Sequence, residues 1–266
     1  ASNSVQSAAT AEKLGEFFHY QVAQVTLERQ RSAMLPIVTD PIRSERVSIY
    51  NASVQPKHPL LGAKVTNTTG KHLLGGPITV YDGGGYSGDA RIEDLPPGQE
   101  RLISFAVDLQ VRVISEGRGT STSILGGKIV KGVLMVQQKR LATQDYQIAN
   151  KSDQARSLII EHPLMHGWNL VDTPKPIETT ESLHRFGHDL AAGAESTFTV
   201  KQEHVDWEHH ALVNWDVGTL LNYQRTGTFP AKVREALAEA AKRKQAVVDI
   251  ERGINEREQE VLSLIH

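Results

Sequence analysis

The segment at residues 78–90, ITVYDGGGYSGDA, carries the strongest signal for the fold of this chain. β-Branched and aromatic residues lead into three consecutive glycines, Gly83 to Gly85. Glycine reaches the positive φ angles of a tight hairpin turn at no steric cost. The segment therefore predicts two antiparallel strands joined by this turn. A phosphate-binding loop is disfavoured, because it would need a helix start and usually a lysine after the glycines.

The strand pattern continues on both sides of this hairpin. Short apolar or alternating runs, as at residues 47–50 and 62–67, are separated by turn residues, which is the pattern of β-strands. Further along the chain, the glycine-containing segments at residues 117–119 and 126–127 predict a flexible loop between two strands.

A short sequence frame occurs twice. Asp-Leu-x-x-Gly-x-Glu stands at residues 94–100 and again at 189–195, and a strand pattern follows each copy. Upstream of each copy, another strand ends in an asparagine-containing turn, at Asn67 and at Asn150. The repeated frame predicts two related β units, and this order of strands and turns is common in sandwich domains of the immunoglobulin type.

The composition changes after Trp207, and the residues beyond Pro230 are rich in Ala, Lys, Arg and Glu and contain no further proline. This stretch predicts a helix that continues to the end of the chain. Apolar residues recur there at an interval of seven, whereas a second set of positions is apolar only at its two ends. The first set is Val233, Ala240, Val247, Ile254 and Val261, and the second is Leu237, Lys244, Glu251, Glu258 and Ile265. Half of a coiled-coil seam is present, so we expect the helix to pair with another helix or to pack on the β body.

Together these patterns predict a mainly β fold, with two immunoglobulin-like β-sandwich units followed by a long, coiled-coil-like C-terminal α-helix. We expect a flexible N-terminal segment at 1–16, a first β unit at 17–115, a second at 116–206, and a junction with the C-terminal helix at 207–266. The chain starts without Met and stops within a helical pattern, so we expect it to be a fragment of a longer protein.

Charge and composition narrow the classes of partner. Lys and Arg total 29 against 31 Asp and Glu, which gives no field that would favour nucleic acid or an anionic membrane. The absence of cysteine excludes disulfides, thiolate nucleophiles and cysteine-based metal sites. No stretch approaches the roughly 20 consecutive apolar residues of a membrane-spanning helix. We therefore expect no nucleic-acid partner and no membrane span.

Histidines are the main candidates for chemistry. They form two H-x3-H pairs and a third group beside Asp206 and Glu208: His162 with His166, His184 with His188, and His204 with His209 and His210. On a helix, residues four apart share a face and can bind one metal ion. Pro163 and Gly187 interrupt the two pairs, and their surroundings predict strand and loop. We expect ordinary histidines and no cofactor, and we keep a metal site or a metal-dependent hydrolase as the alternative.

Other kinds of site have less support. No Gly-x-Ser-x-Gly elbow occurs, so nucleophilic serine chemistry is not indicated, and we expect no catalytic residues. Trp168 or Trp215 could bind a glycan ring, because aromatic side chains bury a large area at small entropic cost. Packing in the core is the competing interpretation for both tryptophans.

Five segments, in this order, resemble one known family: RQRSAMLPI at 29–37, GPITVYD at 76–82, YSGDA at 86–90, LPPGQE at 95–100 and NKS at 150–152. The family is catalogued as domain of unknown function 4139, the C-terminal region of bacterial mucoidy-inhibitor-A-like proteins, and the likeness covers roughly residues 17–266. The resemblance implies β-sandwich structure followed by a helix, and it implies no catalytic residue. The family's Gln- and Arg-rich continuation of the last helix is missing here, because the chain ends at His266.

The leading functional hypothesis is a non-catalytic module that binds a protein partner or a component of the cell envelope, or acts as a scaffold. The C-terminal helix would then set spacing or form a homo-oligomer. We expect a periplasmic or cell-envelope location rather than a cytoplasmic one.

Overall fold

The computed structural model describes residues 9–14, 17–22, 24–26, 28–32, 35, 37–225 and 228–265. The fold is mainly β, with several sheets and a long C-terminal helix, which confirms this part of the prediction. The predicted flexible segment at 1–16 lies mostly outside the described residues, and its described part, Ala9–Leu14, forms a strand. Residues 33, 34 and 36 of the first family-like segment also lie outside them.

The strands are β1 (Ala9–Leu14), β2 (Phe17–Val22), β3 (Arg43–Asn51), β4 (Leu60–Thr66), β5 (Gly76–Asp82), β6 (Gly85–Ile92), β7 (Glu100–Val107), β8 (Val111–Val130), β9 (Val133–Asn150), β10 (Arg156–Pro163), β11 (Asn169–Leu170), β12 (Glu178–Thr179), β13 (Leu183–Leu190) and β14 (Glu195–Ala211). A short 3-10 turn at Leu212–Asn214 precedes helices α1 (Val217–Arg225) and α2 (Ala231–Ile265). Neither α1 nor α2 combines the length and the apolar composition that a bilayer crossing demands.

The strands form two larger sheets and two hairpins. One sheet has the order β12-β13-β10-β3-β4-β7, with β10 parallel to β3 and the other pairs antiparallel. The other has the order β11-β14-β9-β8. The predicted hairpin at residues 78–90 is confirmed as β5 and β6, and its turn uses positive φ at Gly83 and Gly84.

The contacts divide the described residues into two compact units. The first contains the described residues within 1–115, 146–164 and 175–198, and the second contains those within 116–145, 165–174 and 199–266. The chain passes from one unit to the other several times, so each unit is assembled from separate parts of the sequence.

In the first unit, β3 supplies core residues to both of its faces. Four consecutive residues, Val47 to Tyr50, are buried, which shows that both faces of the strand are covered. Val47 and Ile49 pack with Ile159 on one face. On the other face the ring of Tyr50 meets that of Tyr146 edge-on, with centroids 5.9 Å apart. This buried strand is therefore central to the first core.

The turn after β4 is held by Asn67, whose side chain is buried. The Asn67 amide donates to the carbonyl oxygens of Lys71 and Leu95, both at 2.7 Å. Its side-chain oxygen accepts the backbone N–H and the hydroxyl of Thr69. The backbone N–H of Asn67 donates to Gln99, which lies in the first copy of the repeated frame. We call this arrangement the Asn67 clamp.

The turn after β9 repeats the same arrangement around Asn150, which is also buried. The Asn150 amide donates to the carbonyl oxygens of Gln154 and Ala191, at 2.8 and 2.9 Å. Its side-chain oxygen accepts the backbone N–H and the hydroxyl of Ser152. The backbone N–H donates to Ala194, in the second copy of the frame. The Asn150 clamp therefore matches the Asn67 clamp almost bond for bond.

In the second unit, the N-terminal half of α2 packs into a core. Val233, Leu237 and Ala241 are buried against Leu134 and Phe229. The Lys244 ammonium group then donates to the Val213 carbonyl oxygen at 3.2 Å. The predicted packing of the helix on β structure is confirmed for this half of α2.

The predicted flexible loop around residues 117–127 is wrong, because the whole segment lies inside β8. A Cβ atom on Gly127 would lie 2.5 Å from the Phe229 ring and 2.8 Å from the Met135 carbonyl oxygen. Gly127 therefore allows close packing rather than chain flexibility. Glycine within a strand often marks such an approach.

Candidate functional site

Three of the candidate histidines belong to the first unit. His162 is buried, and its Nδ1 lies 2.6 Å from the Tyr146 hydroxyl. His184, on the neighbouring strand, lies opposite His162 in the β10–β13 register, and its Nδ1 is 3.1 Å from the Thr179 hydroxyl. His188 Nε2 lies 2.8 Å from the Ser196 hydroxyl. Burial lowers the pKa of His184 and that of His188, so folding favours their neutral forms.

The other four candidate histidines belong to the second unit. His204 Nδ1 lies 2.6 Å from the Gly167 carbonyl oxygen, and its ring stacks on Trp168. His210 lies 3.3 Å from Glu208. His166 and His209 are exposed.

His184 lies next to His162 across the β10–β13 pair, but it is held apart from His188, its partner in the predicted H-x3-H pair. His184 and His188 both lie on β13, where residues four apart are about 13 Å from each other along the strand. That spacing prevents them from binding one ion as they would on a helix. Over residues 37–225 and 228–265, as over the shorter described segments, no group of three or more His, Asp or Glu side chains is placed to hold a metal ion.

The two tryptophans considered for glycan binding are both partly covered. Trp168 is stacked with His204, with ring centroids 5.6 Å apart. Trp215 packs against the core of the second unit and lies 4.5 Å from Tyr223 between ring centroids. Trp207 is more exposed, at 47% of its surface, and the Lys128 ammonium group lies 5.5 Å from its ring. Trp168 and Trp215 are therefore both in contact with other aromatic rings.

The carboxylates beside the third histidine group are held by a cation. Arg140 Nη2 lies 3.1 Å from Asp206 and 3.1 Å from Glu208. Gln138 donates a further hydrogen bond to Glu208 at 2.7 Å. These contacts join β9 to β14 within the second unit, so the cluster stabilises the pairing of these two strands.

The first unit carries a groove of about 570 Å³ lined by residues of opposite charge. Its apolar lining residues include Leu102 and Ile159. Lys64 pairs with Glu100 at 2.8 Å, and Arg185 pairs with Glu178, also at 2.8 Å. The lining cations are therefore largely matched by acids of the chain itself, and the groove has no strong preference for an anion or a cation.

The C-terminal half of α2 exposes a line of apolar side chains that we call the α2 stripe. The stripe consists of Val247, Ile250, Ile254, Val261 and Leu264, which are 47%, 63%, 51%, 55% and 86% exposed. The spacing alternates between three and four residues. One position in this series is charged, because it is occupied by Arg257. This is the pattern of a coiled-coil seam.

Sequence reasoning identified only part of the α2 stripe. The predicted seam contained Val247, Ile254 and Val261, but its second set was taken four residues after each of these, at positions such as Glu251 and Glu258. The exposed apolar residues Ile250 and Leu264 instead lie three residues after them. Testing the three-residue offset as well as the four-residue offset would have found them.

Comparisons of the chain with models of protein families, with curated proteins and with solved structures find no match. The resemblance to the family of unknown function therefore stays a prediction.

Proposed function

We propose that this protein is a non-catalytic interaction module in which a β body carries a helix that binds another helix. The observation that supports the proposal is the α2 stripe, five large apolar side chains aligned on one exposed face of a helix. Contiguous exposed apolar patches on soluble proteins commonly mark sites of interaction. A scaffolding role follows from this function, because the bound helix would be held at a fixed place on α2.

The different surroundings of the two halves of α2 support a different role for each half. The N-terminal half is anchored to the second unit by buried residues such as Leu237. The C-terminal half keeps its apolar residues in solvent and includes Gly253, which costs a helix interior about 1 kcal/mol relative to alanine. A helix of this kind gains stability when a second helix covers its apolar face.

We also propose that the β body contains two copies of one immunoglobulin-like motif. The matching hydrogen bonds of the Asn67 clamp and the Asn150 clamp support this proposal, because each ties the turn after one strand to the frame before another.

The test of the interaction function uses three defined occupants for the α2 stripe: a second copy of the chain, and two synthetic coiled-coil peptides. Each peptide has about four heptads with Ile and Leu in the seam, and the two differ only in carrying Lys or Glu beside the seam. Hydrogen exchange of the amides of residues 247–264 is measured with each occupant. We expect at least one of the three to slow this exchange.

Two variants of equal added charge show whether the stripe is responsible. Ile254→Glu places a carboxylate within the stripe and should abolish the protection, whereas Gln259→Glu places one on an exposed position off the stripe and should leave it intact. The proposal is overturned if none of the three occupants protects residues 247–264, or if both variants behave alike.

A further inference from the structure

The charges beside the α2 stripe have one sign. In a heptad with Val247 and Ile254 at the first seam position, the flanking positions carry Glu251, Glu258 and Glu260, and all three are exposed. Arg252 lies away from the stripe and is 3.8 Å from Asp249. Over residues 246–264 there are five carboxylates against two arginines. The stripe is therefore an apolar seam with acidic borders.

These acidic borders disfavour a second copy of the chain as the occupant. In an antiparallel pair the glutamates of one helix would face those of the other, because like flanking positions then meet. In a parallel pair Arg257 would face its own copy inside the seam, because like seam positions then meet. Like charges placed opposite each other weaken the wrong pairing, which is how many coiled coils select partners. Both homotypic arrangements thus carry a penalty.

Arg257 adds a requirement on the inner face of the partner. It stands at a seam position between Ile254 and Val261, where apolar residues would otherwise continue. A charge buried in an interface is costly unless an opposite charge pairs with it. A carboxylate on the partner, opposite Arg257, would satisfy this guanidinium group and would also set the register of the two helices.

We propose that the partner of the α2 stripe is a helix of a different sequence, with an apolar seam, basic residues beside the seam and one carboxylate in it opposite Arg257. This inference rests on the proposed interaction function and specifies its partner. Basic flanks would place opposite charges near Glu251, Glu258 and Glu260. The result is selection by charge of one helix over others with the same apolar seam.

The experiment compares the affinities of the Lys-flanked and Glu-flanked peptides for the intact protein by fluorescence anisotropy at low salt. We expect the Lys-flanked peptide to bind at least about tenfold more tightly, and the difference to shrink as salt screens the exposed charges. The double variant Glu251→Lys/Glu258→Lys should reverse the order of the two peptides. The control Glu256→Lys changes a charge away from the seam and should leave the order unchanged.

A second comparison tests the register. Two Lys-flanked peptides are compared, one with Glu and one with Leu at the seam position opposite Arg257. We expect the Glu peptide to bind the wild-type protein more tightly. This difference in affinity should disappear in the variant Arg257→Leu. Equal binding of the Lys-flanked and Glu-flanked peptides, or tight self-association that both peptides fail to displace, overturns the inference and leaves the interaction function standing. Absence of binding to every occupant overturns both.

Discussion

At the scale of single residues, two buried asparagines hold turns of the β body through their side-chain hydrogen bonds. Asn67 and Asn150 are almost fully buried, yet each side chain donates two hydrogen bonds and accepts others, so its polar atoms remain paired. Few other side chains could do this, because the amide offers donors and an acceptor within one short, planar group. Each clamp then fixes where one strand ends and where another begins.

Removal of either clamp should destabilise the protein to a similar degree. Asn67→Ala and Asn150→Ala each leave buried carbonyl and N–H groups without a partner, which we expect to lower the free energy of unfolding by about 2–4 kcal/mol. Urea denaturation measures the change. Asn255→Ala, at an exposed position on α2, is the control and should change the stability by less than about 0.5 kcal/mol. A change near that of the control at either clamp would contradict the structural role assigned to it.

At the scale of elements, β8 shows how a glycine within a long strand allows another part of the chain to pack closely against it. Gly126 and Gly127 are neighbours in this strand, but only Gly127 faces the Phe229 ring at close range. A Cβ atom on Gly126 would meet nothing within 4 Å. The two positions therefore differ in packing while sharing the same local sequence.

This difference makes a matched pair of substitutions. Gly127→Ala forces the Phe229 ring or the Met135 backbone to move, and overpacking of this kind costs about 1–3 kcal/mol. Gly126→Ala should be tolerated and should not lower the thermal midpoint. Calorimetry of both variants checks the expectation. Equal midpoints for the two variants would show that the close approach of Phe229 does not constrain β8.

At the scale of the whole molecule, we expect the partly buried His184 and His188 to make stability depend on pH. Burial lowers the folded-state pKa of His184 and of His188, whereas in the unfolded chain both titrate near pH ~6.5. Above that pH both states hold neutral imidazoles. As the pH falls below it, the unfolded state takes up protons first, so the free energy of unfolding decreases until the folded pKa values are passed.

We therefore expect the urea midpoint of the wild-type protein to fall between about pH 7 and pH 5. The double variant His184→Gln/His188→Gln should show a smaller fall across this window, because two of the groups that take up protons on unfolding are gone. His209→Gln, at an exposed position, should retain the wild-type slope. An unchanged slope in the double variant would assign the pH dependence to other groups.

The features that local pattern controls were predictable. The mainly β fold, the hairpin at Gly83 and Gly84, and the helix after Pro230 all follow from periodicity, turn chemistry and propensity within a few neighbouring residues. The repeated frame predicted two related β units, and the two clamps have matching hydrogen bonds. The hairpin and the helix need no knowledge of distant contacts, because the residues that produce them are close together in the chain.

Other features depended on which parts of the chain meet in space. Gly127 leaves no room for a larger side chain because Phe229, far away in the sequence, packs against it. His184 and His188 cannot share a metal ion because pairing with β10 holds them on an extended strand. The same helix is buried at Leu237 and exposed at Ile254 because the core of the second unit covers only its N-terminal half. Burial is a property of the neighbours as well as of the residue, so the apolar period alone could not show which half of α2 is left open to a partner.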